Sequence, residues 1–301
     1  MPEGDTIFRS ARALAKALTG KAVIRFETAL APLQRVQDDT PITGRMVEKV
    51  ESRGKWLLMY LSGDLILVTH MMMSGSWHIY RTGEKWWLPR KAMRVVIGVD
   101  GFEAVAFNVP VAEFHTARSL ARHSAIPQLG PDLLDSSFTP QTGQQRLAER
   151  AVSHPEDEVA VVLLNQRVMA GLGNVYKSEV CFTAGVHPFR RMDTLTEGEM
   201  LALADHAQRY MQTNVRDGSG DGIVTYTGSR RTTHRADQEE RLWVYGRAGE
   251  ACRRCGTTIL SRKQGVQARS TYWCPNCQPW KGSEVEPEGW AVKKLSRRTS
   301  C

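Results

Sequence analysis

Apolar residues at Ile7, Ala11, Leu14 and Leu18 fall on one face of a helix, with Asp5 able to cap its start and Gly20 following its last turn. From residue 21 to about residue 108 the spacing changes to that of strands. Seven are predicted, at 23–26, 46–50, 56–61, 65–69, 77–80, 94–99 and 104–107, divided by turns such as Ser62-Gly63-Asp64 and Asp100-Gly101. Many short strands after one helix predict a β-sandwich or barrel with the helix packed against it. A stretch rich in Pro, Gly, Ser and Asp follows, and helical spacing returns at 144–152, 157–166, 174–184 and 197–215. The polar, Gly-rich segment 217–240 reads as a mobile loop.

These patterns predict an α+β multidomain chain: residues 1–126 an N-terminal helix and β-sandwich, 127–143 a linker, 144–248 a helical domain, 249–278 a cysteine module, and 279–301 a disordered tail. The chain has 301 residues, enough for two compact units and a small appendage. Its apolar runs are too short to span a bilayer, and its start lacks the basic and apolar segments of a secretory signal. A cytoplasmic protein without a membrane role is expected, nucleoid-associated if it binds DNA. The net charge of +8 favours an anionic partner, although a positive surface serves solubility equally well.

Cys252-Arg-Arg-Cys255 and Cys274-Pro-Asn-Cys277 form two C-x2-C pairs with 18 residues between them. Each pair presents two thiolates from a tight turn, and together they complete a tetrahedral shell for one zinc ion. Four cysteines leave no open coordination position, so the metal is expected to be structural. Cys181 stands apart in an apolar helical stretch and reads as a buried thiol.

In 157–179 an apolar helix runs into Ala170-Gly171-Leu172-Gly173, and a second helix opens at Asn174. The glycines allow a sharp turn and close approach to a ligand, and Asn174 is suited to cap a helix start that can hold a phosphate. An ordinary helical hairpin accounts for the same pattern. At the N-terminus, removal of Met1 would expose Pro2 as a secondary amine. An α-amine is roughly one-tenth unprotonated at neutral pH, against about one lysine in a few thousand. A secondary amine also yields a cationic iminium, and Glu3 beside it supplies a carboxyl group for proton transfer. Many proteins nonetheless begin Met-Pro, and an acid in a first helical turn is favoured by the helix dipole alone.

Together and in this order these motifs resemble the formamidopyrimidine-DNA glycosylase and endonuclease VIII family. The resemblance runs to about Gln278 and is carried by Pro2-Glu3-Gly4-Asp5, Arg53-Gly54-Lys55, His70-Met-Met-Met-Ser-Gly75, residues 166–177, Val244-Tyr-Gly-Arg247 and the cysteine module. It implies a helix–two-turn–helix domain with a zinc finger, and DNA lying in a basic cleft between the domains. It implies Pro2 as the nucleophile, Glu3 as general acid, and Lys55 at the phosphate or sugar side of the lesion. His70, Asn174 and Arg269 would grip flanking phosphates, and Met73 would fill the gap left by the flipped base. Taken singly, each has a bland reading: a solvated turn lysine, a strand histidine, core methionines, a surface arginine.

Many relatives carry a second acid where this chain has Thr6, and an Arg-Arg-Phe loop where it has residues 108–114. The Gly-Asp start and the Asn-Val-Pro-Val stretch resemble endonuclease VIII more closely. The implied activity is a bifunctional DNA glycosylase and abasic-site lyase of base excision repair. It would remove oxidised pyrimidines from damaged double-stranded DNA as a monomer and nick the strand by β,δ-elimination. Single-stranded or bubble DNA remains open as a substrate. An oxidised-purine glycosylase (8-oxoguanine or formamidopyrimidine) and a non-catalytic DNA-damage binder are the alternatives. A zinc-ribbon transcription factor would leave the N-terminal two-thirds unexplained.

Overall fold

The structure is a computed structural model that describes residues 2–216, 242–282 and 285–291. The chain divides into two compact units between Leu134 and Asp135. The predicted loop 217–240 and the tail beyond residue 291 lie outside the described residues.

The first unit opens with α1 (Gly4–Leu18), followed by β1 (Val23–Thr28), α2 (Ala31–Asp39), β2 (Val47–Arg53), β3 (Trp56–Leu61), β4 (Leu65–His70), β5 (Ser76–Arg81), β6 (Met93–Val99), β7 (Phe102–Phe107), β8 (Val111–His115) and the short α3 (Ala117–Leu120). Two four-stranded antiparallel sheets result, ordered β1-β6-β7-β5 and β2-β3-β4-β8. Val95, Ile97 and Ala106 of one sheet and Leu57, Met59 and Leu67 of the other meet in one core with Ile7, Ala11, Leu14 and Leu18 of α1. The helix packs on β2 and β3 of one sheet and on β5 and β7 of the other, so its position is fixed from two sides.

The runs 57–60 and 65–68 are almost continuously apolar because their outer faces are covered too. Leu58, Ile66 and Val68 pack under Leu120 and Ile126. Three elements of this unit went unpredicted: α2, β8 and the four-residue α3. In α2 only Leu33 is buried, and Pro32 stands in its first turn, where proline is tolerated. Strand β8 lies at a sheet edge and alternates Glu113 and His115 with Ala112 and Phe114.

The second unit contains α4 (Pro140–Ser153), α5 (Val159–Leu164), α6 (Asn174–Thr183) and α7 (Glu197–Arg216), then a hairpin of β9 (Leu260–Gln264) and β10 (Arg269–Trp273). Helix α4 packs on α7, and α6 contacts α5, α7 and β10. Phe182 of α6 joins Val244, Ile259, Cys252, Cys274 and Cys277 in a small core under the hairpin.

The expectation of a disordered tail from residue 279 is corrected for its described part. Trp290 and Ser261 exchange two backbone hydrogen bonds of 2.9 Å, an isolated bridge that ties Trp290 to β9. Trp280 packs 5.1 Å from the His187 ring. Charge dominates the composition here, but the tryptophans supply enough apolar surface for packing.

Candidate active site and metal centre

Glu3 is extended at the position before the first turn of α1, where its carbonyl accepts the Ile7 N–H at 3.1 Å. Helix α1 therefore starts earlier than expected. Asp5 lies inside the first turn rather than capping it, and pairs with Arg9 at 3.6 Å. Glu3 and Asp5 are both fully buried, and Pro2 is half-buried immediately before them. Because the core holds α1 along its length, the first turn that follows Glu3 is held in place. The helix dipole favours negative charge there.

Lys55 is half-buried in the two-residue turn between β2 and β3. Gly54 has φ +57° at the first central position, as a type II′ hairpin turn requires. Its N–H donates to the Asp132 carboxylate at 2.7 Å, which ties the turn that carries Lys55 to a distant segment of the same unit.

Trp56 pairs across the sheet with His70, whose ring it meets at 4.7 Å in a T-shaped contact. The His70 Nδ1 accepts the Met72 N–H at 3.0 Å, so the neutral ring carries its proton on Nε2. Burial, reinforced by the nearby Lys55 charge, pushes the His70 pKa down to about 4. At neutral pH His70 is an uncharged N–H donor.

The three methionines after His70 have different fates. Met71 is buried in the sandwich core, whereas Met72 is 50% and Met73 65% exposed. The turn is tight: Gly75 N–H donates to the Met71 carbonyl at 2.8 Å, and a Cβ at Gly75 would stand 2.6 Å from that oxygen. Core filling thus accounts for Met71 only.

In the second unit Gln166 holds the double turn. Its amide donates to the Leu164 and Leu172 carbonyls at 2.9 Å each and accepts the Gly171 N–H at 3.0 Å. Asn174 is the first helical residue of α6, and Gly173 takes the cap position in extended backbone, which corrects the capping role expected for Asn174. The Asn174 amide is released from capping and donates to the Tyr245 hydroxyl at 3.4 Å. Arg269 opens β10 half-exposed, and its Nε donates to Gln267 at 3.1 Å. Cys181 is fully buried, and burial pushes its thiol up to about 12, which excludes it as a nucleophile.

The Sγ atoms of Cys252, Cys255, Cys274 and Cys277 all lie within 4.8 Å of one another. Cys252 and Cys277 are 3.9 Å apart and Cys255 and Cys274 3.4 Å. A tetrahedral zinc–sulfur shell with bonds of about 2.3 Å needs edges of about 3.8 Å. The four side chains fit that ion.

Two supporting carboxylates carried no sequence signal of their own. Asp132 fixes the Lys55 turn as described. Glu179, fully buried on α6, accepts backbone N–H groups from Trp243, Val244 and Tyr245 at 2.8, 2.9 and 2.8 Å. Val244-Tyr-Gly-Arg247 belonged to the resemblance, but nothing in the sequence linked it to Glu179.

Comparison with known proteins defines the class. Residues 1–116 match the formamidopyrimidine-DNA glycosylase N-terminal domain, 129–225 its H2TH domain, and 249–279 the zinc finger found in FPG and IleRS. The chain belongs to the formamidopyrimidine-DNA glycosylase and endonuclease VIII family.

Among relatives, it is 36% identical to "Probable endonuclease 8 2" of Streptomyces coelicolor, over 92% of this chain and 94% of that protein. It is 35% identical to "DNA-(apurinic or apyrimidinic site) lyase Nei2" of Mycolicibacterium smegmatis, over 92% and 99%. The fold is similar to that of Lactococcus lactis Fpg solved in complex with abasic-site DNA, with a TM-score of 0.74 at 24% identity over 93% of this chain and 100% of that one. Among the described residues no helix is long and apolar enough to cross a membrane.

Proposed function

We propose that this chain is a bifunctional DNA glycosylase and abasic-site lyase of base excision repair whose nucleophile is the Pro2 amine freed by removal of Met1. The observation that carries the proposal is the fully buried Glu3 carboxyl next to Pro2, at the start of a helix anchored in the core. That position holds a carboxyl group beside the amine, within reach of the protons that move as the base leaves and the sugar ring opens. The lyase activity named for the Mycolicibacterium smegmatis relative supports the same reading.

In this mechanism the Pro2 nitrogen attacks the sugar C1′. The C1′–base bond breaks, and the departing base takes a proton as Glu3 assists ring opening. The resulting iminium withdraws electrons from C2′, whose proton is then lost, and the 3′ phosphate leaves by β-elimination. A second elimination releases the 5′ phosphate, and hydrolysis of the iminium frees Pro2.

Lys55 supplies positive charge to the phosphate or sugar, and His70 offers its Nε2–H to a phosphate. Asn174 and Arg269 hold phosphates from the second unit, and the exposed Met73 enters the space left by the flipped base. One structural zinc ion, held by Cys252, Cys255, Cys274 and Cys277, keeps the Arg269 hairpin folded. The substrate is damaged double-stranded DNA acted on by a monomer, with oxidised pyrimidines preferred, and the protein works in the cytoplasm at the nucleoid.

The test is borohydride trapping on an abasic-site duplex. The Met1-trimmed protein gives a covalent adduct, and a Met1-retaining form, whose Pro2 nitrogen is tied up in a peptide bond, loses it. Tight binding with no adduct from trimmed protein overturns the proposal in favour of a damage binder. Duplexes matched except for the lesion then separate oxidised pyrimidines from oxidised purines.

A further inference from the structure

The segment 82–92 joins β5 to β6 and crosses the outer face of their sheet. Arg81 N–H donates to the Glu84 carboxylate and Glu84 N–H to the Arg81 carbonyl, each at 2.9 Å, and Ala92 N–H closes a turn on Pro89 at 2.9 Å. Two neighbouring tryptophans in this ordered segment behave oppositely. Trp86 closes over Tyr80, Met93, Val96 and Phe107, with its indole N–H 3.4 Å from the Glu103 carboxylate. Trp87 is turned outward and is 78% exposed. Its backbone N–H donates to the Tyr80 hydroxyl at 3.2 Å, and its ring meets His78 at 5.9 Å and Tyr80 at 6.2 Å in T-shaped contacts.

A single exposed apolar residue is ordinary, but this one is held in place on a segment rich in cations. Arg81, Lys85, Arg90 and Lys91 are all exposed. Arg90 shares Glu27 at 3.1 Å, whereas Arg81, Lys85 and Lys91 have no carboxylate within ion-pair distance among the described residues. The segment's only acid, Glu84, is turned onto the Arg81 backbone.

A held indole among unpaired cations matches the chemistry of single-stranded nucleic acid, whose bases stack on aromatic rings while its phosphates follow positive charge. Bases in an intact duplex are already stacked and offer no free face. We propose that Trp87, with Arg81, Lys85 and Lys91, forms a docking surface for single-stranded DNA on the outer face of the N-terminal unit.

The surface connects to the Met73 turn through the chain of β5. Trp87 packs on His78, five residues of chain from Met73. Extended strand covers at most about 17 Å over that length, a span of a few nucleotides. An unpaired strand flanking a lesion would thus reach Trp87. Only this link to Met73 rests on the glycosylase reading; the docking surface does not.

The experiment measures binding of the full, zinc-loaded chain to a fluorescein-labelled oligothymidine and to a blunt duplex by fluorescence anisotropy. Trp87→Ala should lower the ratio of single-strand to duplex affinity about 10-fold, equivalent to about 1.4 kcal/mol and to one lost stacked base. Trp87→Phe should restore most of it. Lys85→Glu with Lys91→Glu should reduce the salt dependence of oligothymidine binding by roughly two phosphate contacts.

An unchanged ratio in Trp87→Ala overturns the proposal and leaves Trp87 to a protein partner. An equal fall on both DNAs also overturns it. Failure of the glycosylase reading shows separately, as absent borohydride trapping in the wild type.

Discussion

Glu179→Gln is the most direct test of how the helical unit is held together. The substitution keeps size and shape but replaces one carboxylate oxygen with an NH2 group. Glu179 Oε1 accepts from Val244 and Tyr245, and Oε2 accepts from Trp243. A glutamine can keep the first two bonds, but its NH2 group then confronts the Trp243 N–H. A part-buried donor loses its acceptor, and charge assistance is lost from the other two bonds. Together these cost about 2–3 kcal/mol. For a unit of this size the thermal transition should fall by roughly 4–12 °C.

Differential scanning calorimetry of the zinc-loaded protein reads that shift. Hydrogen exchange at the Trp243, Val244 and Tyr245 amides localises it. Tyr245 receives the Asn174 amide, so a loosened 243–245 strap should also weaken abasic-duplex binding. A transition within about 1 °C of wild type, with those amides equally protected, refutes the account.

Zinc removal by a chelator should unfold the β9–β10 hairpin, because binding free energy of about 10–16 kcal/mol is folding free energy in such modules. Limited proteolysis between Leu260 and Trp273 reports this, and unchanged resistance would count against a structural ion. Glu199 is held down to about 2: burial alone would raise its pKa, but hydrogen bonds from Arg190 and the Thr196 N–H, with the Arg190 and Lys281 charges, outweigh it. Its folded pKa lies below the unfolded value, so its stabilisation is complete above about pH 4.5 and is lost as pH falls towards 2. The urea-midpoint gap between wild type and Glu199→Gln should therefore narrow between pH 5 and pH 2.5 by these values, and a constant gap contradicts the pairing with Arg190. In DNA-free protein, NMR titration of the His70 ring should show a midpoint near 4, and a midpoint above 6 would remove the case for a neutral donor.

Local spacing made some of this molecule legible and left other parts hidden. Ile7, Ala11, Leu14 and Leu18 predict α1 because one stripe faces one core, and the apolar runs of β3 and β4 are conspicuous because both their faces are covered. The cysteines could be read because each pair sits in one turn. By contrast, β8 has charged and apolar residues mixed at a sheet edge, and nothing in 111–115 alone separates it from a loop.

The supporting carboxylates were hidden because their partners are remote. Asp132 reaches Gly54 across 78 residues, and Glu179 reaches Trp243 across 64. No periodicity records such pairs. The fates of Met71, Met72 and Met73 likewise depend on a turn closed by Gly75, which composition does not reveal.

The pairing of Trp290 with Ser261 determines where the metal module ends as a folding unit. A two-stranded ribbon has two unpaired margins, and an exposed margin is a template for association with other chains. Trp290 pairs on the β9 margin at Ser261, and Gly289 lies against the Trp273 indole, where an added Cβ would come within 2.4 Å. A chain cut just after Gln278 would keep all four clustered cysteines yet bare that margin and a large indole face. It should bind zinc normally and precipitate readily, while one ending after Ala291 should stay dispersed.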